Sequence, residues 1–272
     1  MTDFSFPSPP PDDQSARPPA LALRGLHKQF GEKIAVAGLS LDVPRGSFYG
    51  IVGPNGAGKT TTLSMATGLL RPDSGSAAVL GHDVWSDTVR AKQLLGILPD
   101  GVRLFDRLTG HQLVTYAGLL RGMSADVVEE RSQGLLHALG LEGSSGKMVT
   151  DYSAGMTKKI ALACALVHAP RVLVLDEPFE AVDPVSASTI QGILRDYVSS
   201  GGTVVLSSHV MDLVQRLCDH VAIVADGQVR AAGRTEEVRA GRTLEERFVE
   251  LVGGAVDARE GLAWLRTSSD SK

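Results

Sequence analysis

Short apolar stretches, separated by polar turn residues, run along most of the chain. Residues 21–26 and 34–43 alternate apolar and polar positions, a pattern typical of antiparallel strands with one solvent face. Continuous apolar runs predict four buried strands, at residues 48–52, 172–175, 203–207 and 221–225, and a hairpin turn follows the last one. Because helical segments separate these runs, we predict an α/β domain with a mainly parallel sheet and an antiparallel β portion at its start.

Helical periodicity replaces strand patterning over residues 107–168. Stretches with that periodicity cover residues 109–120, 125–139 and 154–167, and glycines separate them. We therefore expect a helical insertion, approximately residues 101–168, inside a domain that spans residues 21–233.

The two ends of the chain differ from this domain. Residues 1–20 contain six prolines. Such a stretch cannot bury enough apolar surface to offset the entropy that it loses on ordering, so we predict a disordered tail. The alternative is a ligand for a proline-recognition domain. Residues 234–272 predict a C-terminal helical extension and tail, with Leu244, Phe248 and Leu251 at helical spacing.

Composition narrows the class of protein. Hydrophobic residues make up 43% of the 272 positions and charged residues 21%, as in an ordinary globular protein. The net charge of −4 lacks the basic excess of a general nucleic-acid binder, so we expect no nucleic-acid partner. No apolar run approaches the ~20 residues that span a bilayer, and no secretory signal is apparent. The sequence therefore predicts a cytoplasmic chain whose membrane role, if it has one, comes through a partner.

Residues 53–60 match the nucleotide-binding pattern G-x-x-x-x-G-K-[ST] without a gap, between a predicted strand and a predicted helix. Glycines let backbone N–H groups turn toward phosphates, and the helix N-terminus adds partial positive charge. We expect Lys59 to reach the β- and γ-phosphates of ATP, Thr60 to ligate Mg²⁺ and Thr61 to contact the α-phosphate. The predicted nucleotide contacts are Gly53, Pro54, Asn55, Gly56, Ala57, Gly58, Lys59, Thr60 and Thr61. A glycine-rich turn with a chance lysine is the alternative.

An acidic pair ends the predicted strand at residues 172–175. Asp176 is expected to hold Mg²⁺, directly or through water, and Glu177 to activate the attacking water as general base. Strand ends lie at the ligand-binding edge of a parallel sheet, which is where both tasks are needed. The alternative is a carboxylate pair that only makes a turn.

A second candidate anion site begins with Tyr152, twenty residues before the acidic strand. Small residues follow it and free backbone amides at the start of a predicted helix, where Ser153 supplies a capping hydroxyl. One nucleotide cannot use two helix N-termini that lie far apart in the same chain. A second copy of the chain can donate its own.

Taken together, these motifs resemble those of the ATP-binding cassette (ABC) ATPases, in the family's order, over roughly residues 21–233. The resemblance implies an α/β P-loop NTPase fold with a RecA-like, mainly parallel sheet core, an antiparallel β subdomain and a helical subdomain insertion. It also implies a homodimer or paired cassette that holds two ATPs between one chain's P-loop and the other's signature motif. The signature positions here are Ser153, Ala154, Gly155 and Met156.

Three further roles follow from the resemblance. Asp183 lies in the D-loop and acts across the dimer interface, with a helix cap as the alternative. His209 matches the switch histidine that senses the γ-phosphate, with a structural histidine as the alternative. Phe30 matches the aromatic that stacks on adenine, with plain core packing as the alternative.

The chain departs from the family pattern at three positions. Asp100 stands where the Q-loop usually has glutamine; the shorter, anionic side chain could bind the metal or belong to a plain loop. Ala154 replaces the first signature glycine and Met156 the final glutamine. We expect a working site with slower turnover.

Several segments resemble the ATPases of ABC-2-type exporters. They are Met156 with the lysines that follow, residues 98–100 and 104–109, and the tail at residues 243–251, for which a generic amphipathic helix is the alternative. The resemblance implies a separate ATPase subunit of a bacterial exporter, bound to the inner face of the cell membrane through integral membrane permease subunits. ATP binding would close the dimer, and the helical insertion would transmit closure to the permease. The competing classes are a soluble ABC ATPase with a regulatory or assembly role, and a phosphotransferase.

Overall fold

Ten strands, nine α-helices and two short 3-10 helices (Glu142–Ser144 and Val149–Asp151) occur in the part of the chain that the computed structural model describes, residues 17–101 and 103–253. The strands are β1 (Leu21–Phe30), β2 (Lys33–Val43), β3 (Phe48–Val52), β4 (Ser74–Val79), β5 (His82–Asp83), β6 (Leu95–Leu98), β7 (Val172–Leu175), β8 (Thr203–Ser208), β9 (His220–Ala225) and β10 (Gln228–Arg234). The helices are α1 (Lys59–Ala66), α2 (Thr88–Leu94), α3 (Gly110–Leu120), α4 (Ala125–Ala138), α5 (Ala154–Leu166), α6 (Pro184–Ser199), α7 (Met211–Leu217), α8 (Thr235–Arg239) and α9 (Leu244–Val252).

The strands form two sheets. A four-stranded antiparallel sheet has the order β2-β1-β4-β5, and a six-stranded sheet has the order β10-β9-β3-β8-β7-β6. Within the larger sheet every pairing is parallel except that of β9 with β10, which the Asp226 and Gly227 turn connects. The predicted combination of a mainly parallel core, an antiparallel β portion and a helical insertion is confirmed.

Burial on both faces explains the continuous apolar runs of the parallel strands. In β3, Phe48 and Val52 pack into the core shared with the helical insertion, while Tyr49 and Ile51 pack into the core shared with the antiparallel sheet. Successive side chains of a strand point to opposite faces, so a sheet covered on both faces needs apolar residues at every position.

Two strands of the antiparallel sheet and one parallel strand escaped sequence prediction. β4 consists of small residues with little hydrophobic patterning, and β5 has two residues. β6 follows α2 directly, so its apolar residues continue the apolar end of that helix. Periodicity alone cannot separate a short strand from a helix end.

The helical insertion consists of α3, α4 and α5, with helix bounds within one residue of those predicted at each end. Side chains at its base bond to the core sheet at the start of β6. Nε2 of His168 lies 2.8 Å from the Leu95 carbonyl oxygen, and a guanidinium nitrogen of Arg121 donates to the Lys92 carbonyl at 2.5 Å. Burial lowers the pKa of His168 to about 4, so this joint uses a neutral imidazole at neutral pH.

Residue 20, just before the predicted domain boundary at residue 21, already belongs to the core. Ala20 is fully buried, its N–H donates to the Val43 carbonyl at 2.9 Å, and its carbonyl accepts from Leu80 at 3.0 Å. Of the tail predicted at residues 1–20, the last four residues are described and its end at Ala20 packs into the core, while its first sixteen residues lie outside the described part. At the other end, α8 and α9 occupy part of the predicted extension, and its residues 254–272 lie outside the described part of the chain.

Four adjacent parallel strands, β3, β8, β7 and β6, end at the same edge of the larger sheet. The P-loop follows β3, and His209 follows β8. The pair Asp176 and Glu177 follows β7, and Asp100 lies two residues beyond β6. Strand order thus brings residues from four separate parts of the sequence to one crevice, the usual ligand position in an open α/β sheet.

Candidate functional site

The P-loop joins β3 to α1 in a conformation that two of its glycines make possible. Gly58 has φ of 99°, and a Cβ there would lie 2.4 Å from the Ala35 carbonyl oxygen. A Cβ on Gly53 would lie 2.1 Å from the Val224 carbonyl oxygen. A larger residue at either position would displace the backbone, so the sequence pattern has a steric cause.

Lys59 folds back over this loop. Its side chain is 6% exposed, and Nζ donates to the Gly53 carbonyl at 2.8 Å and to the Pro54 carbonyl at 3.2 Å. The hairpin between β9 and β10 contacts the P-loop, because the Gly227 N–H donates to the Ala57 carbonyl at 3.0 Å. Two carbonyl groups of the P-loop thus hold the buried ammonium group.

A cleft of about 450 Å³ opens at this edge of the sheet, within the usual size range of small-molecule sites. The half-exposed ring of Phe30 lines the cleft. The Lys28 ammonium lies over this ring, 5.7 Å from its centroid. The predicted site residues that line the cleft are Phe30, Asn55, Gly56, Gly58, Lys59, Thr60, Thr61, Asp100, Glu177 and His209.

Glu177 lies between two potential cations of the cleft. Its Oε1 is 3.7 Å from Nζ of Lys59, and its Oε2 is 3.1 Å from Nδ1 of His209. The carboxylate is 12% exposed, and the imidazole 43%. A carboxylate with this access, beside a phosphate-binding loop, has the position that a general base for water requires.

Ser207 joins the two acidic residues and was missed by the sequence analysis. Its fully buried hydroxyl donates to Oδ1 of Asp176 and accepts from the Glu177 N–H at 3.0 Å. The sequence signal was only that Ser207 ends an apolar strand two residues before His209. Sequence alone gave no sign that β8 pairs with β7.

Glu177 has a left-handed backbone with φ of 45°. That conformation costs a residue with a side chain roughly 1–2 kcal/mol. Such strain persists where neighbouring contacts over-determine it, often at functional sites. Here the N–H is held by Ser207, so the direction of the carboxylate depends on a bond between adjacent strands.

The three predicted metal ligands are among the residues that line a second, smaller cavity, whose other walls are largely apolar. Thr60, Asp176 and Asp100 line a space of about 70 Å³ beside the P-loop. Asp100 is exposed, and its Oδ1 also accepts from the Gly101 N–H at 2.7 Å. One hydroxyl and two carboxylates on a single small cavity fit the all-oxygen coordination that Mg²⁺ prefers.

The predicted signature segment does not line the cleft. Ser153 caps α5, and its hydroxyl accepts from the Met156 N–H at 3.3 Å. Ser153 and Ala154 are exposed, so the helix N-terminus is open to a ligand from outside the chain. The four signature positions are therefore on a different surface from the P-loop.

Asp183 caps the next helix along, α6. Its Oδ1 accepts from the Ser186 N–H at 2.9 Å, and this bond lowers the pKa of the carboxyl. The residue also lies close to the signature segment, since a Cβ added at Gly155 would lie 2.9 Å from Oδ2 of Asp183. The predicted alternative, a helix cap, is thus present, and the capping side chain is also exposed.

Other cleft residues also escaped the sequence analysis. Lys33 and Ala35 come from β2, and Glu180 comes from the turn after Glu177. Lys33 belongs to no sequence motif. It reaches the cleft because the antiparallel sheet packs beside the P-loop.

The chain is similar to nucleotide-binding subunits of transporters. The model of the ABC transporter family matches residues 36–180. The linearmycin resistance ATP-binding protein LnrL of Bacillus subtilis is 35% identical over 213 residues, which are 78% of this chain and 68% of that protein. The daunorubicin/doxorubicin resistance ATP-binding protein DrrA of Streptomyces peucetius is 37% identical over 220 residues, 81% and 67% respectively.

A solved structure of the ATP-binding subunit of an ABC transporter shares the fold, with a TM-score of 0.80 at 26% identity, over 86% of this chain and 99% of that one. Within residues 17–101 and 103–253, no helix combines the length and the apolar character needed to cross a bilayer.

Proposed function

The chain belongs to the ABC transporter family, as an ATP-hydrolysing ATP-binding protein, and from that premise we propose that it is the ATPase subunit of an ABC-2-type exporter. In this proposal, Lys59 and the backbone of residues 53–61 bind the phosphates of ATP. Glu177 is the general base, and His209 senses the γ-phosphate. Phe30 stacks on the adenine.

One observation carries the proposed hydrolytic roles: Glu177 lies within 4 Å of both Lys59 and His209, in a cleft that the P-loop lines. Lys59 neutralises charge on the phosphates, so that Glu177 can draw a proton from a water molecule in line with the terminal phosphate. His209 holds the other carboxylate oxygen and limits its rotation.

The active unit in this proposal contains two cassettes. The P-loop cleft has no signature residue of its own chain, although the signature helix N-terminus is exposed. A head-to-tail pairing places Ser153, Ala154, Gly155 and Met156 of one cassette against ATP on the other. Asp183, beside that segment, then lies at the interface.

Mg²⁺ would be held by Thr60, Asp176 and Asp100. When bound, it would neutralise charge that develops on the phosphate oxygens. Ser207 holds Asp176 in place, since its hydroxyl donates to Oδ1, and among the described residues no hydrogen bond engages Oδ2.

Replacing Asp100 with glutamine is expected to raise the Mg²⁺ concentration for half-maximal ATP hydrolysis about threefold or more, because a neutral carbonyl attracts the cation less than a carboxylate. The measurement is steady-state phosphate release as a function of Mg²⁺ at saturating ATP. Asp106→Asn is the matched control, since it removes an exposed carboxylate six residues away that does not line the cavity. An unchanged titration in Asp100→Gln would assign that residue to a plain loop.

The exporter assignment is supported by the two relatives, which are named as ATP-binding proteins of linearmycin resistance and of daunorubicin/doxorubicin resistance. The chain would bind to integral membrane permease subunits, and through them to the inner face of the membrane. The transported molecule would contact the permease alone.

Co-purification tests this assignment. The Glu177→Gln chain is expressed with an affinity tag in its native host and purified with ATP from detergent-solubilised membranes. Mass spectrometry then identifies the proteins that co-purify. We expect an integral membrane protein with several spans, retained with ATP and reduced with ADP. Recovery of soluble partners alone would favour an ABC ATPase with a regulatory or assembly role instead.

A further inference from the structure

The carbonyl group of Glu177 accepts a hydrogen bond from a lysine on the signature helix. Nζ of Lys158 lies 3.0 Å from that carbonyl oxygen. Lys158 lies on α5, two residues beyond Met156. One side chain thus connects the helix that begins with the signature segment to the residue beside the P-loop of the same chain.

This contact completes a set of bonds around a strained residue. The left-handed Glu177 has its N–H held by Ser207, while its carbonyl accepts from Lys158 and from the Glu180 N–H at 3.2 Å. The following peptide nitrogen belongs to Pro178 and cannot donate. Since the strained conformation depends on these bonds, losing one of them frees the peptide to rotate and the carboxylate to move.

Lys158 is well suited to this task. A hydrogen bond from an ammonium group is stronger than one from a neutral donor, and the side chain is partly buried against the loop. Among the described residues, no carboxylate lies within ion-pair distance of Lys158, so the Glu177 carbonyl is the partner that orders its ammonium group.

We propose that Lys158 is a positioning residue for ATP hydrolysis, which holds the Glu177 peptide and so keeps the Glu177 carboxylate beside His209. The proposal rests on the role of Glu177 as general base. A helix moves as a rigid element, so Lys158 follows any displacement of the α5 N-terminus. The geometry of the general base therefore depends on the position of its own chain's signature helix.

Lys158→Met tests the proposal in the full-length chain. We expect kcat for ATP hydrolysis to fall about tenfold or more, while the KM for ATP stays within about twofold, because the P-loop is untouched. Lys158→Arg keeps a cationic donor and should retain at least about one third of the unmodified kcat. Lys147→Met removes the same charge from an exposed position in the helical insertion and should match the unmodified chain. Thermal unfolding midpoints are measured for all variants.

Making the same change in a Glu177→Gln chain shows whether Lys158 acts through Glu177. In Glu177→Gln, single-turnover hydrolysis should be insensitive to the further change of Lys158 to methionine, because the group that it positions is gone. An equal loss in both backgrounds, an unchanged kcat, or a failure of arginine to rescue would overturn the proposal. If the unmodified chain hydrolyses no ATP, or Glu177→Gln turns over normally, the proposed role of Glu177 fails and this proposal falls with it.

Discussion

Glu177→Gln is expected to lower the rate of ATP hydrolysis by a factor on the order of 100 to 1000, in the range that general base catalysis contributes. Glutamine has the same shape and cannot accept the proton of the attacking water. The bonds that hold the backbone of this residue involve Ser207 and Lys158, and they do not use the carboxylate. We therefore expect ATP affinity to stay within a few-fold of the unmodified chain. Steady-state phosphate release and equilibrium titration with labelled ATP measure the two quantities.

Glu180→Gln provides the matched comparison for this experiment. Glu180 lines the same cleft three residues further on, and within the described residues no hydrogen bond or ion pair joins its side chain to Lys59 or His209. We expect a far smaller loss of turnover in this variant. A Glu177→Gln chain that hydrolyses ATP at the unmodified rate would exclude Glu177 as the base.

Ser153→Arg is expected to reduce ATP hydrolysis as severely, although Ser153 does not line the cleft of its own chain. The exposed helix N-terminus would carry a long side chain where the nucleotide of the facing cassette must approach. ATP binding to the isolated chain should be retained, since the P-loop is unaltered. Ser153→Ala controls for the lost helix cap, which costs about 1 kcal/mol of stability and adds no bulk.

Mixing two inactive chains distinguishes action across an interface from action within one chain. A dimer of Ser153→Arg with Glu177→Gln contains one complete site, formed by the P-loop and Glu177 of the first chain and Ser153 of the second. If dimers form at random, half are mixed, so roughly one quarter of unmodified turnover should return. A mixture that stays inactive, or a Ser153→Arg chain that hydrolyses ATP normally, would contradict the head-to-tail arrangement.

Motifs that lie within one stretch of chain could be predicted from the sequence. The P-loop is a single strand–loop–helix unit, and its glycines, lysine and threonines occur together for local steric and electrostatic reasons. The acidic pair after β7 and the capping Ser153 before α5 are local in the same sense. The apolar runs predicted the buried strands because burial on both faces demands them at every position.

Contacts between distant segments could not be predicted in this way. That Ser207 holds both acidic residues depends on the pairing of β8 with β7, and that Lys33 reaches the cleft depends on how the antiparallel sheet packs beside the P-loop. The bond from Lys158 to the Glu177 carbonyl joins helix α5 to the loop after β7, and their separation in sequence says nothing about their distance in space.

The sequence by itself determined the chemistry of this protein: a phosphate-binding loop, an acidic strand end and a second helix N-terminus, each encoded by neighbouring residues with local geometry. Only the tertiary structure decided how these pieces are oriented. Strand order placed Lys59, Glu177 and His209 around one cleft and left Ser153 on another surface, because pairing in a sheet depends on packing between segments far apart in the chain.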